Sequence, residues 1–251
     1  MTQLIILGSS NAVPTRENEN THLVVCGRAH VVLVDCASNP IVRLEQAGVD
    51  FQRLTDIIIT HFHPDHVAGV PLLLMDMWLL GRRAPLTIYG LHYTLDRVET
   101  MMNLYGWAEW PNFFPVNFCR VPADELALVM DNDEMRVLAS PVKHFVPNIG
   151  LRFELKDTGK SFAYSCDTEP CPQVPVLAAG VDLLLHEASG PFTGHSSAAQ
   201  AGETARQAEV GALMLIHYPT GRLATGDPLA EARAKFSGPV SLAKDFLEID
   251  L

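Results

Sequence analysis

One stretch constrains this chain more than any other: Thr60-His61-Phe62-His63-Pro64-Asp65-His66, entered directly from Asp56-Ile57-Ile58-Ile59. The short apolar run, rich in β-branched residues, reads as a buried strand. Three imidazoles and a carboxylate follow it within six residues. Polar rings and a charge so close to a core are costly unless something binds them. A divalent metal meets that need, because neutral imidazole is the commonest zinc ligand and a carboxylate adds charge to the same site. In extended chain His61 and His63 share a side, since strand periodicity is two. Pro64 keeps His63 extended and then turns the chain. Asp65 and His66, at the mouth of the apolar segment Val67 to Leu80, therefore face elsewhere. Two ligand pairs facing apart point to two adjacent ions rather than one. The plainer reading, three hydrogen-bonded loop histidines, requires this spacing to be a coincidence.

Other polar residues repeat that position just past a strand. His144 follows Val137-Leu138-Ala139-Ser140-Pro141-Val142-Lys143, Asp167 follows Ser161-Phe162-Ala163-Tyr164-Ser165-Cys166, and His217 follows Ala212-Leu213-Met214-Leu215-Ile216. In α/β architectures ligands gather at the carboxyl ends of strands. One such histidine is weak evidence, whereas four strands ending in a potential ligand predict one shared site. His195 has its own local signal. Ser197 and Gln200 form a capping box, so a helix is predicted to start there, placing His195 at a positive helix end. An imidazolium is destabilised in that position, which suits a general acid that releases its proton to an oxyanion leaving group. Glu187 either orients His195 or fixes its own loop, and His186 is read as a loop stabiliser.

The remaining chain reads as α/β. Leu4 to Leu7 is a strand, His22 to Cys26 and His30 to Asp35 form a hairpin, and Pro40 to Ala47 is a helix stopped by Gly48. Val67 to Leu80 is predicted as one core helix closed by Gly81. Leu86 to Tyr89 is a strand, and Leu91 to Leu104 has a helical pattern. Glu134 to Ala139, Ile149 to Leu155, Ser161 to Ser165, Val181 to Leu185 and Leu213 to Ile216 are strands, with helices at Ala198 to Glu209 and Leu229 to Phe236. The aromatic segment Tyr105 to Phe118 has three open roles: core filling, a homodimer interface, or a wall over the metal site. With no linker or repeat, residues 1–251 are expected to form a single domain. No apolar run approaches the roughly 20 residues of a membrane span. The five cysteines form no Cys-x-x-Cys pair, which fits reduced thiols and a cytoplasmic protein. The formal net charge of −11 lacks the basic footprint of a nucleic-acid-binding protein.

The order His61-x-His63-x-Asp65-His66, His144, Asp167, His217 resembles the metallo-β-lactamase superfamily of binuclear metallohydrolases. That resemblance implies a four-layer αβ/βα sandwich with the site along one edge. It implies one metal on His61, His63 and His144, a second on Asp65, His66 and His217, and Asp167 bridging. The diiron oxygen-reducing branch usually has a carboxylate where this chain has His63, so the expectation is two zinc ions, with manganese or iron as alternatives in the same ligands. Within the superfamily the chain is similar to ribonuclease Z-type phosphodiesterases. The stretches Leu7-Gly8-Ser9-Ser10-Asn11-Ala12-Val13-Pro14, Leu86-Thr87-Ile88-Tyr89-Gly90, Ser165-Cys166-Asp167-Thr168, His186-Glu187-Ala188-Ser189 and Gly194-His195-Ser196-Ser197-Ala198 carry this similarity.

Two departures bear on substrate. Processing enzymes of that branch carry a long basic arm between the third histidine and the bridging aspartate, whereas His144 and Asp167 are 23 residues apart. The basic loop resembling Pro14-Thr15-Arg16-Glu17-Asn18-Glu19-Asn20 lacks its second arginine. Both argue against transfer RNA. The expected chemistry is hydrolysis of a small or medium phosphodiester by a water bridging two metals, with Asp65, His195 and Glu187 as catalytic residues. The alternatives are hydrolysis of sulfate esters, lactones or thioesters, an iron-dependent redox enzyme, and a non-catalytic metal-binding protein of the same fold.

Overall fold

The computed structural model describes residues 2–251. The first six strands run β1 (Gln3–Gly8), β2 (His22–Cys26), β3 (Val31–Val34), β4 (Asp56–Ile58), β5 (Leu86–Leu91) and β6 (Val116–Val121). The next seven are β7 (Ala127–Asp131), β8 (Met135–Val142), β9 (Asn148–Leu155), β10 (Ser161–Tyr164), β11 (Leu183–Glu187), β12 (Ala212–Ile216) and β13 (Val240–Leu242). A last strand, β14 (Glu248–Asp250), crosses back to pair antiparallel with β1. Two seven-stranded sheets result, ordered β14-β1-β2-β3-β4-β5-β6 and β13-β12-β11-β10-β9-β8-β7. Strands β3 to β6 are mutually parallel, and so are β10 to β13.

Alternation along each strand builds the layers. Leu4, Ile6, Val32, Val34 and Ile58 join Phe162, Tyr164, Leu185 and Ile216 in one core between the sheets. Their neighbours Ile5, Leu7, Leu33, Ile57 and Ile59 point the other way. They meet helices α1 (Pro40–Gln46), α2 (Pro64–Val67), α3 (Val70–Leu79) and α4 (His92–Leu104). On the second sheet Ala163, Leu184, Leu213 and Leu215 face outward onto α6 (Ala198–Gln207) and α7 (Pro228–Arg233), with α5 (Gln173–Leu177) beside them. Period-two burial on both faces is what central strands covered on each side require. The architecture is the four-layer αβ/βα sandwich.

Two expectations change. The segment Val67 to Leu80 is not one helix: α2 carries Asp65 and His66, and α3 begins after Gly69. A Cβ on Gly69 would lie 2.8 Å from the carbonyl oxygens of Cys36 and Ala37. The chain turns there because only hydrogen fits against the end of β3. The aromatic segment fills space on the first sheet's helical side. Trp110 stacks on Trp78 at 5.0 Å, Trp107 meets Phe113 and Phe118 edge-on, and no residue from 105 to 118 lines the metal cleft. The wall role is thereby excluded. Among the described residues no helix is long and apolar enough to cross a membrane.

Candidate metal centre

Every predicted ligand follows the carboxyl end of a strand, or lies at most a few residues beyond it. His61 and His63 follow β4, His144 follows β8, Asp167 follows β10 and His217 follows β12, while Asp65 and His66 sit on α2. The turns that aim them are strained. Asp35, Cys166 and His217 hold left-handed backbone, with φ of 61°, 53° and 51°. Non-glycine residues avoid that region, and such residues concentrate at functional sites.

The structure brings all seven together. His61 Nε2 and His144 Nε2 each lie 3.1 Å from His63 Nδ1. On the other side His66 Nε2 lies 3.5 Å, and His217 Nε2 3.6 Å, from Asp65 Oδ2. Between the two groups sits one atom, Asp167 Oδ2. It is 4.0 Å from both His61 Nε2 and His144 Nε2, 3.6 Å from His66 Nε2 and 3.4 Å from His217 Nε2.

Outer hydrogen bonds decide which nitrogen each ring offers. His144 Nδ1 donates to the Gly194 carbonyl at 2.7 Å, and His66 Nδ1 to Asp35 Oδ2 at 2.8 Å. Ser189 Oγ donates to the His217 carbonyl and is therefore free to accept from His217 Nδ1 at 2.8 Å. Thr60 Oγ1 donates to Asp35 and faces His61 Nδ1 at 3.1 Å. In these four rings the Nε2 atom thus turns inward, while His63 presents Nδ1. Such outer partners set the tautomer and orientation of metal-binding histidines.

These residues fit divalent cations on three counts. His66 Nε2, His217 Nε2 and Asp167 Oδ1 are buried with no hydrogen-bond partner among the described residues, where buried polar atoms normally have one. At most one proton can serve the His61–His63–His144 contacts, so inward lone pairs face each other there. The charge balance agrees. Burial pushes His61 well below the ordinary histidine value and lowers His63 and His144, keeping these rings neutral. Burial also acts against a charged His66, yet Asp167 and Asp35 outweigh it and raise that ring well above its usual value. Burial favours protonation of Asp65 and Asp167 too, but the surrounding imidazoles hold both carboxyls below their usual range. Three clustered carboxylates thus draw in positive charge.

His195 lies beside this cluster, its ring 5.1 Å from that of His144 and stacked on that of His217 at 5.8 Å. The capping box formed by Ser197 and Gln200 is present, and α6 starts at Ala198. The expectation of a destabilised imidazolium is corrected. Burial opposes the charge more than any other single influence, but the 3.0 Å hydrogen bond from His195 Nδ1 to Glu187 Oε1 and the charges of Glu187, Asp167 and Asp65 together outweigh it and raise the ring's pKa. Glu187 is fully buried, and its carboxylate accepts backbone N–H groups from Thr168, Ser189 and Ser196 as well. With donors on both oxygens it is held as an acceptor. It reaches the cleft only through His195. His186, at the end of the same strand, is buried with its Nδ1 on the Glu187 carbonyl. A cavity of about 180 Å³ lined by Asn11, Asp65, Asp167, Phe192, His195 and His217 opens over the cluster.

A family model for the beta-lactamase superfamily domain matches residues 30–218. The chain belongs to that superfamily. It is 28% identical to ribonuclease Z of Methanothermobacter thermautotrophicus, an alignment covering 100% of this chain and 97% of the relative. That alignment runs over 307 positions against 251 residues here, so the relative carries insertions that this chain lacks. The metallo-beta-lactamase fold protein YhfI of Bacillus subtilis superposes with a TM-score of 0.83 at 21% identity, covering 99% of this chain and 98% of that one. Human tRNase Z, short form, superposes with a TM-score of 0.81 at 23% identity over the same shares. The superfamily and the donor set make this chain a metal-dependent hydrolase with a divalent-metal site.

Sequence reasoning missed the residues that orient the superfamily ligands. Asp35 directly follows β3, so the strand-end rule applied to the other ligands would have found it. Ser189 and the Gly194 carbonyl carry no comparable signal, because each acts through a contact made only when distant loops meet.

Proposed function

We propose that the chain hydrolyses small or medium phosphodiesters with two zinc ions, one on His61, His63 and His144, the other on Asp65, His66 and His217, with Asp167 shared. The single observation carrying this reading is the position of Asp167 Oδ2 between two converging sets of imidazole nitrogens. Imidazole nitrogen and carboxylate donors suit zinc, with manganese the alternative in the same ligands. Bound there, the ions would supply an acidified water as nucleophile and polarise the phosphoryl oxygen. Asp65, on the rim of the cleft, orients the nucleophile. His195 holds a proton for the departing oxygen, on the nitrogen that Glu187 leaves free. Glu187 is a positioning residue, since it acts on the reaction through His195. The short β9–β10 connection between His144 and Asp167 and the net charge of −11 support a compact substrate over transfer RNA. We further propose one domain across residues 1–251, because both halves contribute to the inter-sheet core and β14 closes on β1.

Metal analysis after zinc or manganese loading tests the count, and the expected result is two ions per chain. Iron with an optical absorption band would instead support redox chemistry. Asp167→Ala is expected to lose most bound metal and all hydrolysis; full metal retention would refute the shared-ligand assignment. For substrate, bis-p-nitrophenyl phosphate is expected to turn over ahead of p-nitrophenyl sulfate, a lactone and precursor transfer RNA. A preference for any of the other three would replace the phosphodiester reading.

A further inference from the structure

A second cavity, of about 480 Å³, opens beside the cleft and shares Asn11, Ser189 and Phe192 with it. Its size lies within the range of small-molecule pockets, about 300–1,000 Å³. The lining is mainly apolar: Tyr218, Leu223 and Leu242 form walls, and the Tyr218 hydroxyl is spent on the Ala243 carbonyl at 2.6 Å, leaving its ring as surface. Among the described residues Glu231 is the only charged one on the lining. With no lysine or arginine there, a second phosphate or a polyanionic chain finds no partner. An uncharged group does.

Phe192 stands at the junction of the two cavities and is 67% exposed. An exposed phenyl ring forgoes the stabilisation of burial, yet this one is seated rather than loose. Its ring lies on Gly190, where a Cβ would come within 2.5 Å, and Gly190 holds φ of +131°, a conformation that L side chains rarely adopt. The Phe192 amide donates to the Gly190 carbonyl at 2.8 Å, and the His195 amide to the Phe192 carbonyl at 3.0 Å. Gly190 N bonds Ser196 O, and Gly194 N bonds Glu169 Oε1. The loop that presents the ring of His195 therefore also presents an aromatic face, at the junction of the two cavities.

We infer that Phe192 and this cavity form the subsite for an uncharged aromatic substituent of the phosphodiester, which stacks on Phe192 while its phosphate lies over the metal cluster. The inference rests on the phosphodiester reading and deepens it, naming a substrate class with at least one planar, neutral ring. Aromatic rings prefer offset or edge-to-face contact and gain from it beyond their buried area.

The test is equilibrium binding of diphenyl, dicyclohexyl and dimethyl phosphate to zinc-loaded protein by calorimetry. These symmetrical diesters make the result independent of which arm enters the subsite. The wild type is expected to bind diphenyl phosphate about 10-fold or more tighter than dimethyl phosphate, with dicyclohexyl phosphate between them. Phe192→Ala is expected to cut the diphenyl-to-dimethyl ratio about 5-fold, and Phe192→Leu, which keeps bulk without a ring, by less. Equal binding of the three diesters, or a ratio unchanged in Phe192→Ala, overturns the subsite. Hydrolysis of bis-p-nitrophenyl phosphate is measured in parallel. Its absence would refute the phosphodiesterase reading, while the binding ratios still decide the subsite.

Discussion

Asp35 shows how much of the site depends on a side chain that faces away from the cleft. It is fully buried at a left-handed turn, takes the His66 ring on one oxygen, and takes the amide and hydroxyl of Thr60 on its carboxylate. Asparagine tolerates left-handed backbone, so Asp35→Asn removes the charge while sparing the turn. The expected outcome is metal affinity about 10- to 100-fold weaker, measured by competition with a chromophoric chelator; unchanged affinity would deny Asp35 its role. The general-acid role proposed for His195 gives a pH prediction. A general acid works while protonated, so activity falls as pH rises through its pKa. Glu187 holds His195 directly at 3.0 Å, whereas bound cations would offset the charges of Asp65 and Asp167. Glu187→Gln is therefore expected to move the alkaline limb of kcat/KM to lower pH. A limb that stays in place would leave Glu187 a purely structural residue.

Among the elements, the four-residue α2 decides ligand placement. Gly69 lets it press onto β3: its amide bonds the Cys36 carbonyl at 2.8 Å, and the Cys36 amide bonds the His66 carbonyl at 2.8 Å. Gly69→Ala would press a methyl group to 2.8 Å against two backbone oxygens, those of Cys36 and Ala37, and against the Pro40 ring. Overpacking of this kind costs about 1–3 kcal/mol, and a chain of this size loses about 2–4 °C in Tm for each. The variant is expected to melt several degrees lower and to hold metal more weakly, because the His66–Asp35 contact loosens; an unchanged Tm would refute the steric account. The same element marks a limit of pattern reading. Val67 to Leu80 is apolar throughout, so its periodicity carried no sign of the break that β3 imposes from outside. Strands β6, β7, β13 and β14 went unread for a related reason. Glu248-Ile249-Asp250 is mostly polar and becomes a strand only because β1 offers it an edge. The buried strands β4, β10 and β12 were legible because burial on both faces writes itself into consecutive apolar residues.

For the molecule as a whole, the inter-sheet architecture also buries groups that resist acid poorly. His22 on β2 is fully enclosed, and burial lowers its pKa from 6.5 to about 4 despite its bond to the Asn20 carbonyl. An unfolded chain binds that proton below 6.5, while the folded one refuses it until about 4. Stability is therefore full above pH 6.5 and is lost as pH falls towards 4. His186 is lowered to about 4 by the same burial and adds in the same direction. Tm measured between pH 7 and pH 4 is expected to fall on acidification, and His22→Gln to flatten part of that slope; an equal slope in the variant would assign the effect elsewhere.

The sequence by itself determined the donor chemistry and its order along the chain, since His61, His63, Asp65, His66, His144, Asp167 and His217 each follow an apolar run whose burial is visible residue by residue. Periodicity and strand-end position are local properties, and a local pattern suffices to state them. Only the tertiary structure decided that one oxygen of Asp167 falls between two sets of nitrogens, that Asp35, Ser189 and Gly194 turn the rings inward, and that Glu187 meets the His195 ring and favours its charged form. Those facts are distances between segments far apart in sequence. They exist only once two sheets have packed and their loops have met along a single edge.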